Sequence, residues 1–276
     1  MEPRWEDRYT DTLRMPIPVE NHAACVDFAP VARREVTVFG APAELVLVPQ
    51  RRERHGRPMA EPPAFVASRA ARIVRDEAIW RENGLVLTPN RYPFAAQHRL
   101  LWPDEPIREV SFAMWHAVLD WTARSGGTAL VNNIGAAATI ARAHAHLVPL
   151  RLPFLTSLPE RPLAAELIEL PRGVELLQKD TPVCLVGVRG DADACAKALL
   201  LLAEARRTAA CNVVVHERTA WLFPRSLETP TPHFPYALGA AEVWGRWCYM
   251  DEEPFRAADG DQLERALVAA GKSALR

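Results

Sequence analysis

His144 and His146 are two apart in Ala143-His-Ala-His-Leu-Val-Pro149, a run that reads as a β-strand. In a strand, side chains two apart point to one face, so both imidazoles project together while Leu147 turns into the core. Near its ordinary pKa of about 6.5 an imidazole is largely neutral at neutral pH. One ring nitrogen can then attack phosphorus while the other donates its proton to an oxygen. A displacement at phosphate is thereby split into two steps through a covalent nucleotidyl-histidine. The pair alone suits surface or hydrogen-bonded strand histidines better, so its neighbours decide the reading.

Upstream lies Asn133-Ile-Gly135-Ala-Ala-Ala-Thr139-Ile-Ala-Arg142, an asparagine followed by a loop of small residues. Small side chains let phosphate oxygens approach backbone N–H donors. Earlier still, Asn90-Arg91-Tyr-Pro-Phe94 and His98-Arg-Leu100 supply a proline-stiffened loop of the kind that could hold a base and ribose.

The elements that must position these residues follow from pattern. Strands are expected at 36–39, 44–48, 84–88, 98–102, 128–132 and 143–149, and at 182–188, 211–215 and 220–223 in the second half. A helix capped by Ser111 carries Phe112, Trp115, Val118, Leu119 and Trp121 and ends at Gly126-Gly127. Others are expected after Pro62-Pro63, over 194–207 and over 260–270. Strand, helix, strand, strand occurs twice, which predicts an α+β fold of two pseudo-repeated halves, antiparallel sheets flanked by helices. The halves are 1–155, carrying the histidine pair, and 156–276, packed against it, with 143–149 and 211–215 expected in equivalent strands.

At these positions the chain resembles the branch of the histidine-triad superfamily that contains galactose-1-phosphate uridylyltransferase and the diadenosine polyphosphate phosphorylases. That branch carries N-x-(Y/F)-P, then N-x-G-A-A, then H-x-H nine residues after the glycine. Asn90-Arg-Tyr-Pro93, Asn133-Ile-Gly135-Ala-Ala and His144-Ala-His146 fall in that order and spacing. Cys211-Asn-Val-Val-Val, Trp221-Leu-Phe-Pro-Arg225 and Ala237-Leu-Gly239 resemble phosphorylase segments of the second half.

The resemblance implies two pseudo-repeated histidine-triad-like halves and a nucleotidyltransferase or phosphorylase acting on a nucleoside polyphosphate or nucleotide sugar. The other readings are a hydrolase using the same site and a catalytically inactive nucleotide-binding protein. His146 matches the nucleophile, and His144 the partner whose backbone carbonyl orients it. Asn133, Gly135 and Thr139 match the phosphate-contacting loop, and Asn90 and Arg91 the nucleoside-binding segment. Arg142 takes the place of a polar residue and could meet a phosphate directly. The family's glutamine or third histidine falls on Val148, which has no polar atom. Alternation puts it on the face of His146, so a glutamine there would be expected to point towards the site. A rival register makes Arg142, His144 and His146 the triad, with His144 as nucleophile.

Composition bounds the partners. With 33 Lys and Arg against 34 Asp and Glu, the net charge of -1 offers no basic field for nucleic acid or an anionic membrane. Lysine occurs only at 179, 197 and 272, so a phosphate would meet mostly arginine. The loop Gln50-Arg-Arg-Glu-Arg-His-Gly-Arg57 is expected to be solvated. Five cysteines with no C-x-x-C suggest buried thiols and, without the uridylyltransferase branch's C-x-x-C zinc pair, no metal. No cofactor is expected. Nucleotide and phosphate or sugar-phosphate substrates are, in a cytoplasmic monomer or homodimer.

Overall fold

The computed structural model describes residues 17–18, 25–53, 70–164, 169–205 and 210–274. Strands β1 (Ala32–Val38) and β2 (Ala41–Leu47) form a hairpin, and a 3-10 turn follows at Pro49–Glu53. Helix α1 (Ala71–Asp76) leads into β3 (Trp80–Glu82), β4 (Leu85–Pro89) and β5 (Arg99–Pro103). Helix α2 (Phe112–Ser125) precedes β6 (Thr128–Asn132), β7 (Ala145–Val148) and the short α3 (Phe154–Ser157). Next come β8 (Glu160–Pro162), β9 (Glu175–Lys179), β10 (Val186–Arg189), α4 (Ala192–Glu204), β11 (Cys211–His216) and β12 (Thr219–Pro224). The chain closes with α5 (Ala240–Val243), β13 (Arg246–Tyr249), α6 (Glu252–Ala257) and α7 (Gly260–Ala270).

Local chemistry fixes the long helices. Ser111 accepts the Met114 N–H at the start of α2, and Gly126 takes the left-handed conformation, φ +68°, that ends it. Asp191 and Asp259 cap α4 and α7 in the same way. Gly260 is demanded by packing: a Cβ there would come 1.9 Å from the Thr37 carbonyl oxygen of β1.

Ten strands form one antiparallel sheet in the order β3-β4-β5-β7-β6-β11-β12-β10-β9-β8. From either edge the order is the same: three strands in sequence, then a pair in swapped order. The centre is β6 against β11, in register from Asn132↔Asn212 to Thr128↔His216. By this order β7 corresponds to β12 and β6 to β11. The expected equivalence of 143–149 with 211–215 is therefore corrected: residues 211–216 hold the place of β6.

Alternation separates two faces. Ala129, Val131, Ala145, Leu147, Val213 and Val215 pack under Trp115 and Leu119 of α2 and Leu199 of α4. Leu130, Val148, Val214 and Trp221 face the other way, into a cluster with residues of β2, α5, β13 and α7. That cover includes a second sheet, β1-β2-β13, in which β13 runs parallel to β2.

The expected strands and the helices of 111–126, 194–207 and 260–270 are present with shifted ends, although β10 begins only at Val186. Of the helix after Pro62-Pro63, residues 62–69 lie outside the described residues. No disulfide joins the five cysteines, four of which are buried; Cys25 is half-buried. Desolvation pushes the Cys195 and Cys211 thiols up to about 12.

Candidate active site

β7 is hydrogen-bonded on both sides, so its side chains are rigidly placed. His146 stands between Leu100 of β5 and Leu130 of β6. His144 precedes the strand, and its ring is 5.2 Å from that of His146, edge to face. His144 stacks on Trp102 at 4.7 Å. Its Nδ1 lies 2.8 Å from the Arg142 carbonyl, which can only accept, so the proton sits on Nδ1.

A third imidazole completes the group. His98, fully buried, places Nε2 2.9 Å from His146 Nδ1. The 90–98 loop determines the direction of that bond. Asn90 Oδ1 accepts the Tyr92 N–H at 3.0 Å, which fixes the amide and aims Nδ2 at the His98 ring, 3.0 Å from Nε2 and 3.3 Å from Nδ1. The Phe94 N–H also approaches His98 Nδ1, at 3.3 Å. Asn90 Nδ2 reaches both ring nitrogens and selects neither tautomer, while the Phe94 N–H needs a bare Nδ1, which puts the proton on His98 Nε2 as donor to His146 Nδ1. The opposite arrangement, with the proton on His146 Nδ1, leaves the lone pair of His146 on Nε2, where a nucleophile needs it.

Two arginines hold this loop. Arg51 is buried, not solvated as its charged neighbours suggest. It donates to the Tyr92 carbonyl at 2.5 Å and lies 5.4 Å over the Phe94 ring. Arg246 of β13 donates to the Phe94 carbonyl at 3.0 Å and is fixed by two bonds to Glu44 Oε2, at 2.8 and 2.5 Å. Phe94 in turn packs on His98 and His146, with centroids 4.1 and 5.6 Å away. The sequence marks Arg246 only by its setting between Trp244 and Trp247. The solvated reading of the basic loop concealed Arg51.

The remaining expected residues divide. Asn133, Arg142 and His144 line one small cleft with Arg108. Gly135, at φ +80°, and Thr139 belong to the loop beside it. Asn133 ties that loop to the second half through its N–H on the Cys211 carbonyl, 3.2 Å. Arg142 donates through Nη2 to the carbonyls of Pro103 and Asp104, at 2.6 and 2.9 Å, and burial lowers its pKa. Its guanidinium thus anchors the end of β5. Asn90 braces His98. Arg91 is exposed and paired with Glu77 at 2.5 Å.

Val148 shares the face of His146, as alternation requires, but is sealed in the apolar cluster with Leu130, Phe154 and Trp221. A side chain there points into the core, which corrects the expectation for a glutamine at this position.

Beneath the small-residue loop runs a buried polar chain. Asn212 Nδ2 donates to Asn132 Oδ1 and to the Ala136 carbonyl, both at 2.8 Å. Asn132 Oδ1 also accepts the Ala240 N–H at 2.7 Å. Arg225 Nη1 donates to Asn212 Oδ1 at 2.6 Å, and desolvation lowers this arginine to about 10. Glu242 of α5 is buried, its carboxyl raised by desolvation and accepting the Gly239 N–H at 2.8 Å. Among the described residues no group of three or more His, Cys, Asp and Glu is arranged to hold a metal ion, and no helix is long and apolar enough to cross a membrane.

Neither a family model nor the sequence of a curated protein matches the chain. Solved structures do. Yeast Ap4A phosphorylase Apa2 in complex with Ap4A is similar with a TM-score of 0.67 and 13% identity, over 89% of this chain and 90% of that one. The structure of the same yeast protein with AMP gives 0.63 and 14%, over 88% and 89%. At such identity the likeness shows the fold alone: the chain is built like this phosphorylase.

Proposed function

We propose that the protein transfers a nucleotidyl group from a nucleoside polyphosphate or nucleotide sugar to inorganic phosphate or a sugar phosphate, through a covalent intermediate on His146. The observation that carries this reading is the grip of His98 Nε2 on His146 Nδ1 at 2.9 Å, on a strand fixed from both sides. In the first step the His146 Nε2 lone pair forms a bond to the α-phosphorus, and the bond from that phosphorus to the leaving phosphate oxygen breaks. In the second, an oxygen of the acceptor phosphate attacks the same phosphorus, the P–N bond breaks, and the imidazole is restored. In the reactive tautomer His146 Nδ1 carries the proton, and its hydrogen bond to His98 Nε2 disperses the positive charge that grows on the ring.

In this reading Asn133, Gly135 and Thr139 meet the phosphates, with His144 as neighbour to the nucleophile. Asn90 and Arg91 border the nucleoside, and Arg142 acts by holding the cleft's wall. The shared strand order supports two pseudo-repeated halves divided at 155/156, which superposition of the halves tests. The structural likeness makes Ap4A the first substrate to try. A second reading, nucleotide binding without turnover, is favoured by one observation: Val148, sealed in the core, offers no donor to a phosphate oxygen.

Incubation of the protein with Ap4A should give an acid-labile mass increase that peptide mapping assigns to His146, with turnover dependent on phosphate. Turnover without phosphate would make the protein a hydrolase. Binding without adduct or turnover would leave the second reading, and an adduct on His144 would support the rival register.

A further inference from the structure

The small-residue loop already holds an anion of its own. Gly135 and Ala137 both have positive φ, +80° and +67°, with Ala136 between them. Such alternation occurs in anion-cradling loops; here the Ala136 N–H is taken by the Asn133 carbonyl at 2.9 Å, so of these two groups the Ala137 N–H is the one that meets an anion. A left-handed alanine costs roughly 1 kcal/mol, so its neighbours must hold it. The Ala137 N–H donates to Glu228 Oε1 at 2.7 Å. Glu228 lies 91 residues away, in the segment after β12, and is half-buried. Its backbone is fixed: the Glu228 carbonyl accepts from Arg225 Nη2 and from the Leu238 N–H, both at 3.0 Å. Arg225 also holds Asn212, which holds the Ala136 carbonyl. The carboxylate and the loop it enters are thus positioned by one arginine–asparagine pair.

Resting on the reading of this loop as the phosphate site, we propose that Glu228 is a resident anion that incoming phosphate must displace, and so sets the affinity for anionic substrates. A carboxylate and a phosphate oxygen cannot share one N–H without repulsion. Displacement therefore penalises every anion that takes the Ala137 N–H. The second half of the chain thereby acts on the anion site of the first through the Glu228 carboxylate.

The test uses the full chain, tripolyphosphate and Ap4A as probes, and titration calorimetry on wild type, Glu228→Gln and Glu228→Ala, with thermal melts to confirm folding. Glu228→Gln keeps an acceptor for the Ala137 N–H and loses the charge, so tripolyphosphate should bind about tenfold tighter, a gain of about 1.4 kcal/mol. Glu228→Ala should gain at least as much. If Glu228 merely staples the loop, Glu228→Gln will bind as wild type does and Glu228→Ala more weakly; either result overturns the proposal. Equal Ap4A affinity in all three proteins would sink it while leaving the nucleotide reading intact. Tighter tripolyphosphate with no Ap4A binding would support it and sink that reading instead.

Discussion

β7 and β12 hold corresponding places in the strand order, yet one carries an imidazole where the other carries an indole. His146 lies between Leu100 and Leu130, while Trp221 lies between Gly187 and Val214. Around His146 the neighbours are polar rings and the donors of the 90–98 loop. Around Trp221 the space is filled: a Cβ on Gly187 would meet the indole at 2.8 Å, and Lys179 Nζ lies 4.3 Å from its ring centre. That lysine is in turn held by Glu160 at 2.9 Å. One sheet geometry therefore offers the same location twice, and the residue type decides whether polar rings or a packed indole fill it.

The largest effect expected from this contrast is on turnover. His146→Asn should lower Ap4A breakdown by at least about 10⁴-fold, the scale of losing a nucleophile. Adduct formation that persists in that variant would move the chemistry off β7. Trp221→Ala should instead cost about 3–5 kcal/mol of stability in urea melts, while the folded fraction still forms the adduct. A stable variant lacking the adduct would show that the indole serves the site.

Val148→Gln sharpens the boundary between the two regions, since it forces an amide into the apolar cluster. A loss of about 2–3 kcal/mol and no gain in turnover is expected. A rise in turnover would mean that this face opens to the site.

The smallest effect concerns His216 of β11. Its ring Nε2 is buried with no hydrogen-bond partner among the described residues, and desolvation lowers its pKa to about 4. The unfolded chain then takes up a proton near pH 6.5 that the folded chain refuses until about pH 4. Stability should fall as pH drops through that window, by about 1–2 kcal/mol because part of the residue reaches solvent. His216→Gln should flatten the curve, and an unchanged slope in pH-dependent melts would refute the assignment.

Much of the site was legible because it is local. The histidine pair, the loop before it and the capped helix α2 are written in consecutive residues whose periodicity states which face they occupy. What escaped is long-range. Arg51 reaches Tyr92 across 41 residues and Arg246 reaches Phe94 across 152, so no window of sequence contains both partners. β13 exists because β2, some two hundred residues earlier, offers a parallel edge. Val148 marks the same limit: alternation gives its direction, but only the packing of β13, α5 and their neighbours says that this direction is closed.

The pairing of β6 with β11 has a mechanical consequence. A continuous ladder from Asn132↔Asn212 to Thr128↔His216 joins the two halves as one beam, without a joint at its midpoint. The halves cannot swing apart like jaws, because opening would shear a row of backbone hydrogen bonds at once. Yet His146 lies almost wholly beneath the surface. A ligand could reach it only if what covers the beam yields, such as the 90–98 loop and the arginines pressing on it, and the amides of β6 and β11 are expected to be among the slowest in the molecule to exchange.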